Sequence, residues 1–88
     1  MKFIYTEHVG EKLERKDIKD FGINKKLLES TVKIPSYEVR KTSTGEFAAV
    51  TNLKRPYILR VIYDIIGSDT KIITFHVARK GRYNTPKE

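Results

Sequence analysis

The spacing of apolar residues changes at Ser36, and this change limits what the chain can fold into. Before Ser36, apolar residues recur every three or four positions, as Val9 and Leu13 or Leu28 and Val32 do, which is the spacing of one helix face. After Ser36 they recur at every second position, which is the spacing of one strand face. The sequence therefore predicts helices first and a sheet afterwards, in an α+β fold.

The first part of the chain predicts a short strand followed by two helices. "KFIY" at the start is apolar and β-favouring, and Thr6 then stands where a helix N-cap is expected before "EHVGEKLERK". Asn24 is the predicted N-cap of a second helix, "KKLLESTVK", which Pro35 prevents from continuing. Both helices have one apolar face that must pack on something else.

The second part predicts an antiparallel meander of three to four strands, with the helices on one face. The candidate strands are "SYEVRKT", "EFAAVTNL", "YILRVIYDII" and "TKIITFHVA", and the segments "STG", "KRP" and "GSD" separate them. "YILRVIYDII" is the most apolar of the four, so we expect it in the middle of the sheet.

Composition indicates a single domain with an anionic partner. A chain of 88 residues is expected to form one domain over 1–88, with the tail 84–88 frayed. The net charge of +7 is concentrated after residue 29, since residues 1–29 carry seven cations and six anions while residues 30–88 carry eleven and five. Such an excess favours nucleic acid as the partner, although a solvated, lysine-rich surface explains it equally well.

The same composition argues against several other classes of protein. With no cysteine there are no disulfides or thiolate sites, and two histidines do not suggest a structural zinc site, so we expect no metal and no cofactor. No run reaches the roughly 18 apolar residues that cross a bilayer, and the N-terminus becomes charged early. We therefore expect a cytoplasmic protein that does not bind membranes.

Strand alternation predicts which side chains carry chemistry. The apolar sets of the last two strands should face the helices: Leu59, Val61, Tyr63 and Ile65, then Ile73, Phe75 and Val77. Arg60 and His76 then share the opposite face. Six further residues are expected at the rim of that face: Lys54, Arg55, Arg79, Lys80, Arg82 and Tyr83.

This set of side chains suits RNA, because cations bind phosphates and an aromatic ring stacks on a base. Cleavage through the RNA's own 2′-hydroxyl needs a base, an acid and cations that stabilise the phosphorane, and it needs no metal. His76 can serve as either proton carrier, and Tyr83 is a second candidate if neighbouring arginines lower its pKa.

Each assignment has a structural alternative. His76 could be a hydrogen-bonded strand histidine, Arg60 could pair with Asp64 or Glu46, and Tyr83 could anchor the tail. Arg79, Lys80 and Arg82 could be a solvated end that protects a sheet edge. His8, Lys12 and Arg15 share one side of the first helix and, with glutamates interspersed, are interpreted as a salt-bridged surface.

Three stretches resemble the RelE-like and BrnT-like toxin superfamily of small ribonucleases, and more closely a set of small uncharacterised domains near it. They are "TEHVGEKLERKDI", "LRVIYDI" and "IITFHVARKGRY", beside the relatives' "TEHALERMKERGI", "lrVvY" and "iiTv" with a basic end. The resemblance implies a RelE-like fold and a toxin-type ribonuclease that cleaves RNA, including mRNA on the ribosome, and that a cognate antitoxin neutralises.

The resemblance also implies roles for individual residues. Arg60 would be the central-strand arginine, Arg79 the late arginine and Tyr83 the terminal tyrosine, while His76 stands where some relatives have the general acid or base. Lys54 and Arg55 match the preceding basic pair. Asp17 replaces a common glycine of the first helix. The alternatives are a non-catalytic nucleic-acid-binding module and an interaction protein that forms a homodimer.

Overall fold

The structure is a computed structural model, and it describes residues 2–80. Its elements are β1 (Lys2–Tyr5), α1 (Glu7–Leu13), α2 (Lys16–Asp20), α3 (Lys25–Lys33), β2 (Arg40–Lys41), β3 (Phe47–Asn52), β4 (Tyr57–Ile66) and β5 (Asp69–Arg79). The five strands form one sheet in the order β1-β5-β4-β3-β2. The α+β prediction is confirmed, and β4 occupies the middle of the sheet as expected.

The sheet is mixed, whereas the sequence predicted an antiparallel meander. β2 to β5 are antiparallel neighbours, but β1 pairs in parallel with the start of β5, with Lys2 opposite Asp69 and Tyr5 opposite Ile72. These partners are far apart in the chain, so no local sequence pattern predicts the pairing. The helices connect β1, at one edge of the sheet, to β2, at the opposite edge.

Three helices are present instead of two, because the first predicted helix divides. Thr6 caps α1 as expected, its Oγ1 accepting a hydrogen bond from the Val9 amide at 3.3 Å. The helix ends at Leu13, and Arg15 is extended, with φ −69° and ψ 138°. Leu13 and Ile18 are five residues apart, so one continuous helix would point them in different directions. The break lets both enter the core.

The first predicted strand of the meander is shorter than expected. Of "SYEVRKT", only Arg40 and Lys41 belong to β2. Tyr37 is instead buried against the sheet, and its hydroxyl donates to Oδ1 of Asn52 at 2.9 Å. The segment before β2 is therefore a packed connection.

The main core lies between the helices and one face of the sheet, which we call the helix face. Helix residues in this core include Val9, Leu13 and Leu28, and its strand residues are Ala49, Leu59, Val61, Tyr63, Ile72 and Phe75. The predicted packing of Leu59, Val61 and Tyr63 on the helices is confirmed. Ile65, the fourth residue of that predicted set, is instead 54% exposed, because it lies one residue from the end of β4 and outside the main core. The opposite face, which we call the far face, carries a smaller buried cluster of Tyr37, Val50, Ile58 and Ala78.

One residue of the predicted apolar set of β5 is displaced by a β-bulge. Ile62 is opposite Thr74 and Tyr63 is opposite Ile72, so Ile73 is the extra residue. Ile72 is fully buried in the main core, while Ile73 is half-buried. The alternation of β5 after the bulge is as the sequence predicted.

Candidate functional site

Arg60 and His76 are direct cross-strand partners on the far face. The register of β4 and β5 places them opposite each other, between the pair Leu59 and Val77 and the pair Val61 and Phe75. Since those flanking pairs point into the main core, the side chains of Arg60 and His76 point the other way. Both side chains are half-buried. Side chains that are directly opposite in an antiparallel pair are in contact range.

Helix α1 lies along the edge of β5 next to His76. β1 ends at Tyr5, and the chain continues along the same edge: the Thr6 amide donates to the Ile72 carbonyl at 3.2 Å, and the Thr6 hydroxyl donates to the Ile73 carbonyl at 2.8 Å. Further along, Nζ of Lys12 donates to the carbonyl of Phe75, the residue before His76. The helix is thereby fixed to β5 at both ends.

This arrangement adds two residues to the site. His8 and Lys12 are four residues apart in α1 and so lie on one side of it, and Lys12 faces β5. His8 and Lys12 approach His76 from the edge of β5, and we call His8, Lys12, Arg60 and His76 the far-face cluster. The sequence contains a signal for this cluster, because His8 and Lys12 share one side of the first predicted helix, but that pattern was interpreted as a salt-bridged surface.

The salt-bridged interpretation of the first helix holds for its end only. Arg15 pairs with Asp17 at 2.8 Å, and Lys19 approaches Glu14 at 3.7 Å. All four of these side chains are well exposed, so the pairs contribute little stability. Lys12 contacts β5 instead, with its Nζ also 4.9 Å from the centre of the Phe75 ring.

The electrostatics of the cluster favour a neutral imidazole. Burial lowers the pKa of His76 below its ordinary 6.5, and the nearby Lys12, Arg60 and His8 lower it further. Burial and the charge of Arg15 likewise lower the pKa of the Lys12 amine. At neutral pH His76 therefore has a free lone pair beside the permanent charge of Arg60.

The two carboxylates considered as partners of Arg60 have other hydrogen bonds. Glu46 accepts one from Thr42 at 3.1 Å and another from Thr44, and these bonds, that of Thr44 first, hold its pKa below the usual range. Asp64 accepts from the amide of Ile65 at 2.9 Å and lies opposite Lys71.

Arg79 lies on the helix face, which corrects the expectation that it reaches the far face. It is opposite Tyr57, its guanidinium carbon is 5.9 Å from the centre of that ring, and the same ring packs edge-on against Phe21 at 5.2 Å. We expected the strand to end before Arg79. Because β5 runs through Arg79, its side chains still alternate between the two faces at that point. Arg79 is three residues after His76, so its side chain points to the opposite face.

The remaining predicted site residues lie at one end of the sheet or outside the described residues. Lys54 and Arg55 are exposed in the connection between β3 and β4. Lys80 follows β5, with its Nζ 5.9 Å from the centre of the Tyr37 ring. Arg82, Tyr83 and the tail 84–88 are outside residues 2–80, so the proposed tyrosine proton carrier has no described position.

The chain has no match among the models of known families, the curated proteins or the solved structures. Within residues 2–80, His, Asp and Glu side chains form no group of three that could hold a metal ion. None of the helices within that range has the length and apolarity needed to span a membrane.

Proposed function

We propose that this protein is a RelE-like, toxin-type ribonuclease that cleaves RNA by metal-independent acid–base chemistry on the far face. The observation that carries the proposal is the pairing of Arg60 with His76, a permanent cation beside an imidazole whose pKa is lowered. A base and a cation that binds phosphate are two of the three groups that this reaction requires, and the third is a proton donor.

In the proposed reaction the RNA supplies its own nucleophile. His76 takes the proton of the 2′-hydroxyl as its oxygen attacks the adjacent phosphorus, and Arg60 stabilises the charge of the phosphorane. The bond to the 5′-oxygen of the next nucleotide then breaks, and that oxygen receives a proton. The products are a 2′,3′-cyclic phosphate and a 5′-hydroxyl.

His8 and Lys12 complete the chemistry. The His8 imidazole is a candidate donor of the proton that the leaving oxygen receives. Lys12 adds positive charge beside His76 and can neutralise a phosphate oxygen. Tyr83, which the family resemblance implies, remains a second candidate for the proton donor.

The test is cleavage of a single-stranded RNA in the presence of a metal chelator, with product ends identified by mass. We expect 2′,3′-cyclic phosphate ends, and a rate about 10² to 10⁴ times lower for His76→Gln, the usual contribution of general acid–base catalysis. Lys26→Gln removes an exposed charge on α3 and is the matched control, which should cleave normally. Intact RNA with both free and ribosome-bound substrate would refute the proposal.

A second candidate is a nucleic-acid-binding module without chemistry, favoured by the position of Arg79 away from the far-face cluster. It predicts RNA binding that weakens with salt and that is unchanged in His76→Gln. In either case RNA in the cytoplasm is the proposed partner, and an antitoxin with an acidic or amphipathic segment would inhibit the protein by covering the far face.

A further inference from the structure

A pocket lies at the end of the sheet where β3 turns into β4 and β5 finishes. Its volume is about 250 Å³, slightly below the roughly 300–1,000 Å³ of sites that enclose drug-sized ligands. The lining residues are Asn52, Leu53, Arg55, Pro56, Tyr57 and Lys80. A pocket of this size suits part of a ligand that continues outside it.

Backbone hydrogen bonds hold the walls of the pocket in place. The Tyr57 amide donates to the Lys54 carbonyl at 2.9 Å, and the Leu53 amide donates to the Tyr57 carbonyl at 3.0 Å, which closes the turn. The Lys80 amide donates to the Pro56 carbonyl at 2.9 Å and joins the end of β5 to that turn. Little ordering is therefore needed on binding, which favours affinity.

The chemistry of the lining suits a nucleotide. Arg55 and Lys80 are exposed cations, and within residues 2–80 no acidic side chain lines the pocket. Pro56 offers apolar surface to a base, and part of the Tyr57 ring, which also contacts Phe21 and Arg79 on the helix face, borders the pocket. Asn52 offers an amide that is positioned by the Tyr37 hydroxyl, which donates to its Oδ1. Cations with an aromatic ring and an amide are the usual components of single-strand recognition.

We propose that this pocket binds one unpaired nucleotide of the RNA that flanks the cleaved bond, with its phosphate between Arg55 and Lys80. This inference rests on the proposed function, because it takes RNA to be the ligand of the far face. It goes further by assigning a separate subsite that sets how long a bound strand must be.

The distance between the pocket and His76 gives the expected length. His76 and Lys80 are four residues apart and both point to the far face, since Lys80 contacts Tyr37. At about 3.3 Å per residue they are roughly 13 Å apart, which corresponds to about four stacked nucleotides at 3.4 Å each, or fewer in an extended strand. A dinucleotide at His76 cannot reach the pocket, and an octanucleotide can.

The experiment measures the binding of deoxyuridine oligomers of two to eight nucleotides, which lack the 2′-hydroxyl and cannot be cleaved by the proposed reaction. Isothermal titration would compare the native chain with the Arg55→Gln, Lys80→Gln double variant, which we call the pocket variant. The matched control is the Lys16→Gln, Lys26→Gln double variant. It also removes two exposed positive charges, from helix residues, and so has the same net charge as the pocket variant.

We expect the pocket variant to bind the octamer about 10-fold more weakly and the dimer within about 2-fold of the native chain, because only the longer strand reaches the two cations that this variant lacks. The slope of log affinity against log salt concentration should become shallower by about 0.7, the loss of one single-strand phosphate contact. The control variant should stay within about 2-fold at every length.

Equal losses in the pocket and control variants, or a loss that does not depend on length, would overturn the inference. A competition experiment with hexaglutamate gives a further outcome that would overturn it. If hexaglutamate displaces the octamer from the native chain but not from the pocket variant, the pocket is a general site for acidic peptides. Failure of the pocket is separable from failure of the proposed function. If the protein cleaves RNA and the pocket variant shows the same dependence on RNA length, only the pocket proposal is wrong. If the oligomers bind as expected but RNA is never cleaved, only the ribonuclease proposal is wrong.

Discussion

The two faces of the β4 and β5 pair use the same backbone for different purposes. On the helix face, Leu59, Val61 and Phe75 are fully buried in the main core. On the far face, Arg60 and His76 alternate with them and remain half-buried. Alternation places the buried core side chains and the half-buried Arg60 and His76 next to each other in sequence but on opposite faces of the sheet, so each set can be altered with little direct effect on the other.

The largest effect should come from the helix face. Phe75→Ala removes a fully buried ring at the centre of the main core, and such truncations cost about 3–5 kcal/mol. For a domain whose total stability is about 5–15 kcal/mol, urea unfolding should show a large loss.

The matched control is the preceding residue, Thr74, which is half-buried on the far face opposite Ile62. We expect Thr74→Ala to cost about 1 kcal/mol or less. Similar losses for the two variants would contradict the deeper burial of Phe75 on the helix face.

A smaller effect should separate two arginines that the sequence grouped together. Arg60→Gln removes the proposed phosphorane-stabilising cation and should lower the cleavage rate about 100-fold, as the loss of one such donor does. Arg79→Gln, on the helix face, should change the rate by less than about 3-fold and cost about 0.5–1 kcal/mol of stability through its contact with the Tyr57 ring.

Cleavage rates and urea unfolding of both variants would be measured together. A large rate loss in Arg79→Gln with an unchanged Arg60→Gln would place the chemistry on the other side of the sheet. It would also support an anion site near Tyr57 in place of the far-face cluster.

The smallest effect should appear in the pH dependence of stability. The folded pKa of His76 is lowered, first by burial and then by Lys12, Arg60 and His8, so the unfolded chain binds more protons on acidification. Its contribution is therefore present above about pH 6.5 and is lost as the pH falls through the folded pKa.

Urea unfolding between pH 7.5 and 5.0 would test this, with His76→Gln as the comparison. The native chain should lose more stability on acidification than the variant does. A titration of the His76 ring by NMR should have its midpoint below 6.5, and a midpoint above that value would contradict the burial and charge described for the far-face cluster.

Local signals predicted the elements well. β4 has the span that the sequence indicated, Tyr57–Ile66, because a long apolar run is bounded by Pro56 and by Gly67, whose φ of 63° suits the first position of a tight hairpin turn. Thr6 and Asn24 cap their helices as expected, Asn24 accepting from the Leu27 amide at 2.9 Å. These features depend on neighbours in sequence.

The features that sequence did not predict depend on distant partners. The parallel pairing of β1 with β5, and the bulge at Ile73, are set by the register between strands. The place of Lys12 in the far-face cluster follows from that pairing, because β1 determines where α1 runs. Arg79 was misplaced because the end of β5 could not be located to within one residue, and one residue reverses a side chain.

The path of α1 also limits how a partner can attach. Beyond Tyr5, β5 would present bare carbonyls, but Thr6 and Lys12 occupy those of Ile72, Ile73 and Phe75. The two outer strands of the sheet, β1 and β2, are only four and two residues long. At these positions a foreign strand therefore finds few free backbone groups to pair with, and a partner that extends the sheet there is disfavoured.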